Sequence, residues 1–277
     1  MSIKQHLNEK VLILDGAMGT MIQQYPQYKG YKNCDQLNLS HPEIVEEIHR
    51  KYLSAGADII QTNTFNSSND RELNLRAVDI AKKSALQYST AEKPRFVAGT
   101  IGPQIKDSYS EQAKHLIEGG VDLLLIETIL DLNSCQSVLE SLKSFNSAPP
   151  IMLSVTVQKN SPLLLSGETI KDFINLASQH DILSLGINCS YGPRQVTEAV
   201  TELALHSNLY ISLHTNAGLP NHEGQYDVDA NEMSEIVDGF LSRKLINIVG
   251  GCCGTTDEHI REIARVASRH SPRKISP

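Results

Sequence analysis

Eight short apolar runs recur along this chain, each followed by a longer segment of helical period. They are VLILDG (11–16), DIIQTNTF (58–65), RFVAGTIG (95–102), DLLLIET (122–128), PIMLSVTV (150–157), ILSLGINCS (182–190), YISLHTN (210–216) and NIVGGCC (247–253). Their apolarity is nearly continuous rather than alternating, as parallel strands covered on both faces require. Between them, SHPEIVEEIHRKYLSAG offers Ser40 as an N-cap, Pro42 in the first turn and Gly56 as a stop. TTDEHIREIARVA sets Thr255 and Glu258 at capping-box spacing, and Glu168, Pro193 and Asn231 mark similar starts. Repeated strand-then-helix units predict an α/β protein, and eight of them favour a closed (β/α)8 TIM barrel over a doubly wound open sheet. A chain of 277 residues can bury such a core. No linker or low-complexity segment interrupts it, so one domain is expected over 1–270, followed by a polar tail over 271–277.

Composition narrows the function classes. A net charge of -7 gives no electrostatic footprint for nucleic acid or an anionic membrane surface. The apolar run near the start is too short for a signal peptide, and no stretch has the apolar length to cross a bilayer. The expected location is cytoplasmic, where thiols stay reduced. The five cysteines, Cys34, Cys135, Cys189, Cys252 and Cys253, are then candidates for metal binding or catalysis before disulfides.

In a (β/α)8 barrel the chemistry sits at the C-terminal ends of the strands. Those ends carry Asp15, Asn63 with Thr64, Gly102, Glu127, Thr156, Asn188 with Cys189, Asn216, and Cys252 with Cys253. Three thiolates suit zinc, which takes cysteine sulfur at about 2.3 Å in a tetrahedron and keeps one position open when catalytic. A closed structural site usually carries a CxxC knuckle, which this chain lacks. Neighbouring residues of a strand point to opposite faces, so glycines 250, 251 and 254 are expected to let both sulfurs of the Cys252–Cys253 pair turn to one metal. Asn216 could offer an oxygen while no substrate is bound. Asp15 reads either as a functional carboxylate or as a turn cap, and Glu127 ends an apolar strand, where an unpaired carboxylate is costly to bury. Cys34 and Cys135 read as small hydrophobes. The ten histidines form no H-E-x-x-H pair; His214 lies one residue inside the seventh strand, and most are expected on the surface or satisfied in the core.

With these residues in place, the chain resembles the homocysteine S-methyltransferases, most of all the N-terminal homocysteine-binding module of cobalamin-dependent methionine synthase. The stretches that carry the resemblance are ILDGAMGTMIQ (13–23), AGADIIQTNTFNS (55–67), DLLLIET (122–128), INCSYGP (187–193), TNAGLPN (215–221) and NIVGGCCGTT (247–256). The resemblance implies one zinc ion on Cys189, Cys252 and Cys253, with Asn216 as a resting ligand. It implies that Asp15 and Glu127 receive the amino group of homocysteine. Backbone amides around Ala17 and Met18, with Thr64 nearby, would hold its carboxylate, and Asn188 would join the substrate-binding set. The stretches after TNTFNS and TIGP are shorter than in the family, which implies a more open mouth. No D-x-H-x-x-G cobalamin motif, G-x-G-x-x-G loop or P-loop is present. Cobalamin or folate would thus act only through a corrinoid- or folate-binding partner or as an external methyl donor. S-methylmethionine or S-adenosylmethionine as donor, another small thiol or selenol as acceptor, and a non-catalytic homocysteine-binding subunit of a split methionine synthase are the alternatives.

Overall fold

The apolar runs pair as eight parallel strands: β1 (Leu12–Ile13), β2 (Ile59–Gln61), β3 (Phe96–Ile101), β4 (Leu123–Ile129), β5 (Ile151–Val155), β6 (Ser184–Cys189), β7 (Tyr210–Thr215) and β8 (Ile248–Gly251). The computed structural model describes residues 2–104, 108–143, 145 and 148–275. Neighbours in the ladder follow chain order from β2 to β8, and β8 pairs with β1. A parallel bridge between Leu14 and Ile59, with Asp58 N–H donating to Ile13 O at 2.7 Å, closes the ring. The barrel, not the open sheet, is the fold. Part of the QIKDSYSEQ stretch (105–107) and the last two tail residues (276–277) lie outside the described residues.

One helix follows each strand: Pro42–Ala55, Arg71–Tyr88, Ser108–Gly119, Leu132–Leu142, Ile170–Ala177, Thr197–His206, Ala230–Ser242 and Asp257–Ala267. Pro42 and Gly56 bound the first of these as expected, with Gly56 in the left-handed region at φ 115°. Four starts differ by a residue or two. Ser40 ends a short preceding helix and donates to Gln36 O, so His41 is the N-cap. The caps at 168 and 231 belong instead to Thr169, which forms a box with Asp172, and to Asp229. The last helix is capped by Thr256 with His259, because Thr255 faces inward. Pro193 opens a 3-10 turn that leads into its helix. Among the described residues, no helix is long and apolar enough to cross a membrane.

Two apolar clusters result. The larger lies between strands and helices; the smaller fills the barrel with Leu12, Leu14, Ile59, Leu123, Leu125, Met152 and Ile248. Ile3 and Leu7 of an N-terminal helix (Ile3–Glu9) join this inner cluster, and Ile275 packs against it. Residues 271–275 are therefore not a free polar end: Arg273 donates to Leu209 O and Ala204 O, and its own carbonyl accepts from Asn247. The apolar filling leaves the chemistry to the strand tips. Glu127 shares its strand face with Leu123 and Leu125, so it stands directly above that filling.

Candidate metal centre and substrate cleft

Strand parity sends Leu185 and Ile187 of β6 into the outer cluster and would send Cys189 the same way. Instead, Cys189 and Ser190 both take left-handed backbone, at φ 49° and 57°, and turn the chain over the mouth. That region costs an L-residue about 1–2 kcal/mol. The turn is held by Ser190, whose hydroxyl donates to Asn188 O at 3.0 Å and accepts from Val157 N–H at 2.9 Å.

The other two sulfurs arrive from β8 by a different route from the one its glycines suggested. Gly250 and Gly251 stay in the strand, and they are glycine because there is no space. A Cβ on Gly250 would stand 2.7 Å from the carbonyls of Leu14 and Asp15, and one on Gly251 would collide with Thr255 Oγ1. Cys252 and Cys253 follow in a turn closed by Thr255 N–H to Cys252 O at 3.1 Å, with Gly254 at φ 81°. This is the position where a type II turn needs glycine. Conformational freedom thus matters at Gly254 alone. Thr255 Oγ1 also donates to Cys252 O and accepts from Ala17 N–H, which ties the cysteine turn to the loop after β1.

The three sulfurs lie within 4.8 Å of one another, with Cys189 and Cys252 at 2.7 Å, and all are free thiols. Cys253 is pushed down to about 3, because the thiols of Cys189 and Cys252 hydrogen-bond to it. Cys252 is pushed well above its ordinary range by those same sulfur contacts, and Cys189 is raised as well. Sulfurs this close repel one another once ionised, and a divalent cation is what would let all three ionise together. Asn216, next after β7, has a buried side-chain oxygen with no protein donor. Both features fit a zinc ion held by three thiolates. Tyr226, from the loop after β7, lies across Gly254 where a Cβ would be, and beside Cys253. Nothing in the local sequence marks this tyrosine.

A cleft of about 360 Å³ opens beside the sulfurs, lined among others by Ala17, Met18, Gln61, Thr64, Glu127, Cys189 and Cys252. Asp15, Asn188 and Asn216 are buried outside this lining, and half-buried Cys253 is not part of it either. The Asp15 carboxylate accepts from the backbone and side-chain N–H groups of Gln61 at 2.9 and 3.1 Å, so it caps no turn of its own. Burial lifts it to about 8, and the Glu127 charge adds to the rise. Two nominated donors are already spent. Ala17 N–H is taken by Thr255; Thr64 donates its hydroxyl to Thr100 O and its amide to Thr62 O. Met18 N–H has no acceptor among the described residues. Asn188 faces Glu127 and Thr128 instead of the cleft. Cys135 is a buried hydrophobe, its thiol raised to about 12 by burial; Cys34 is half-buried, packs against the outer cluster and also lines the cleft. His214, fully buried, lies 3.3 Å from Glu127 Oε2, and neither ring nitrogen makes a well-directed hydrogen bond.

The model of the homocysteine S-methyltransferase family matches residues 12–267. The chain belongs to the homocysteine S-methyltransferase family. Its reaction class is methyl transfer to the sulfur of homocysteine. Among solved structures, the metallated form of the homocysteine methyltransferase MmuM from Escherichia coli is 20% identical, with a TM-score of 0.80 over 95% of this chain and 98% of that one. The apo form of MmuM is 24% identical, with a TM-score of 0.74 over 93% and 96%. The 3-hexulose-6-phosphate synthase of Salmonella typhimurium is 14% identical, with a TM-score of 0.54 over 94% and 99%. At these identities the solved structures speak for the fold, and membership rests on the family match.

Proposed function

We propose that this methyltransferase is zinc-dependent, with Cys189, Cys252 and Cys253 as the metal's protein ligands, Asn216 as a fourth in the absence of substrate, and a methyl donor supplied from outside the chain. The observation that carries the reading is the meeting of three sulfurs from the ends of β6 and β8, two of which, on Cys189 and Cys252, line the same cleft as Glu127. Bound there, zinc would keep the substrate sulfur deprotonated at neutral pH. The chain's own residues do the positioning. Glu127 receives the substrate ammonium, Asp15 adds a second carboxylate behind Gln61, and the amide of Met18 is the donor left for the carboxylate end. Ala17 and Thr64 shape the wall. Fixing the amino-acid head in this way aims the sulfur at the incoming methyl carbon, and such alignment supplies much of the acceleration of a two-substrate reaction.

The donor class is read by assaying zinc-loaded chain with homocysteine against free methylcobalamin, S-methylmethionine and S-adenosylmethionine. Methionine is expected with methylcobalamin, in keeping with the NAGLPN stretch (216–221). Turnover with a sulfonium donor alone would overturn the corrinoid preference. Failure with every donor, despite homocysteine binding, would favour a subunit that works only beside a partner.

Asp15 gives the site a pH signature. Its raised pKa leaves it mostly protonated at pH 7, and an arriving ammonium favours the charged form, so binding expels that proton. Homocysteine affinity should therefore rise as pH climbs toward 8. Asp15→Asn should cut the protons released on binding at pH 7 by close to one, measured by calorimetry in buffers of different ionisation enthalpy. An unchanged proton count would remove Asp15 from the head-group site.

A further inference from the structure

Glu127 sits at an irregular point of the barrel wall. The β4–β5 register shifts between Ile126 and Ile129, and Thr128 takes a left-handed φ of 61°. A β-branched residue enters that region only when its surroundings enforce it. Asn188 does so from β6: its Oδ1 accepts from Thr128 N–H at 2.9 Å, and its Nδ2 donates to Thr128 Oγ1 at 2.8 Å. The same Nδ2 lies 3.4 Å from Glu127 Oε2. His214, paired in register with Asn188 on β7, brings its Nε2 to 3.3 Å from that same oxygen. The histidine is fully buried, and apart from this close but poorly directed approach neither ring nitrogen has a hydrogen-bond partner. Both side chains therefore approach Oε2 from inside the barrel, while Oε1 has no protein donor among the described residues.

We propose that Asn188 and His214 are positioning residues for the amino-acid head group, which fix Oε2 of Glu127 from within the barrel so that Oε1 is presented to the substrate ammonium. Neither touches substrate. Asn188 holds the backbone bulge that lifts the carboxylate to the mouth, and His214 fixes its rotation. A bulged strand tip is a common way to re-aim one side chain, and a buried carboxylate oxygen needs a polar neighbour. The inference rests on the reading that Glu127 receives the ammonium group.

The test uses zinc-loaded full chain and two thiols, L-homocysteine and 4-sulfanylbutanoate, which keeps the thiol and carboxylate but lacks the amino group. His214→Leu is expected to weaken homocysteine binding at least tenfold, to leave the des-amino thiol within about twofold, and to retain one zinc per chain. His214→Gln, which restores an N–H donor, should recover most of the loss. Asn188→Ser should show the same selective loss and gives a second reading if the leucine variant fails to fold. Equal weakening of both thiols, or undiminished preference for homocysteine in the variants, would overturn the proposal. If wild-type chain itself shows no preference for homocysteine, the ammonium reading of Glu127 fails, and this inference with it.

Discussion

Cys252→Ala is expected to leave the chain without stoichiometric zinc and to lower kcat/KM for homocysteine by at least about a thousandfold, or ~4 kcal/mol. A free thiol of pKa about 8.5 is only a few per cent thiolate at pH 7, and restoring full ionisation is worth about 2 kcal/mol. The rest of the loss is positional: without the sulfur trio the substrate thiol has no fixed place beside the donor. Cys252 is the sharpest test because its sulfur lies 2.7 Å from that of Cys189 and its carbonyl receives both Thr255 donors. Metal analysis of the purified variant beside its methylation rate reads both effects. Cys135→Ala is the control, since Cys135 sits in the outer cluster and should keep zinc and activity. A Cys252 variant that retained one zinc per chain, or a tenth of the wild-type rate, would contradict the assignment.

Glu127→Gln carries the second large effect, and the opposite pattern. An ammonium about 4 Å from a carboxylate gains roughly 4 kcal/mol at an effective dielectric of 20, before desolvation is subtracted. Removing that charge with near-identical shape is expected to weaken homocysteine binding about a hundredfold, or ~2.7 kcal/mol. Zinc should stay at one ion per chain, because Glu127 is no ligand. The des-amino thiol should bind the variant as it binds wild type. Loss of zinc, or equal loss for both thiols, would show that Glu127 supports the metal centre rather than the head group.

The two substitutions also mark what the amino-acid order makes legible. The barrel and its reactive end follow from local signals: continuous apolar runs set the strands, and the residue that ends each run falls at the mouth. That is enough to gather Glu127, Cys189, Cys252 and Cys253 before any coordinates are known. How the sulfurs converge is less visible. Left-handed backbone at Cys189 and Ser190 is imposed by bonds to Asn188 O and Val157 N–H, and neither residue type announces it. Gly250 and Gly251 read as flexible joints but are points of close approach, a distinction set by Leu14, Asp15 and Thr255, which are distant in sequence. Thr255 reads as a helix cap for the same reason: TTDE has the spacing, and only the barrel shows that its hydroxyl spans Ala17 and Cys252. His214 could be placed on the inner face of β7 by parity. Its meeting with Glu127 depends on the bulge at Thr128, which strand periodicity does not encode.

Zinc held by three cysteine sulfurs, with a place left for the substrate's sulfur, would have a distinct spectroscopic signature. X-ray absorption at the zinc edge tests it most directly, recorded on metal-loaded chain before and after saturation with homocysteine. Three sulfurs and one lighter ligand are expected in the resting protein, changing to four sulfurs at about 2.3 Å once homocysteine is bound. A sulfur count that stays at three with homocysteine in its cleft, or a resting site with fewer than three, would contradict it.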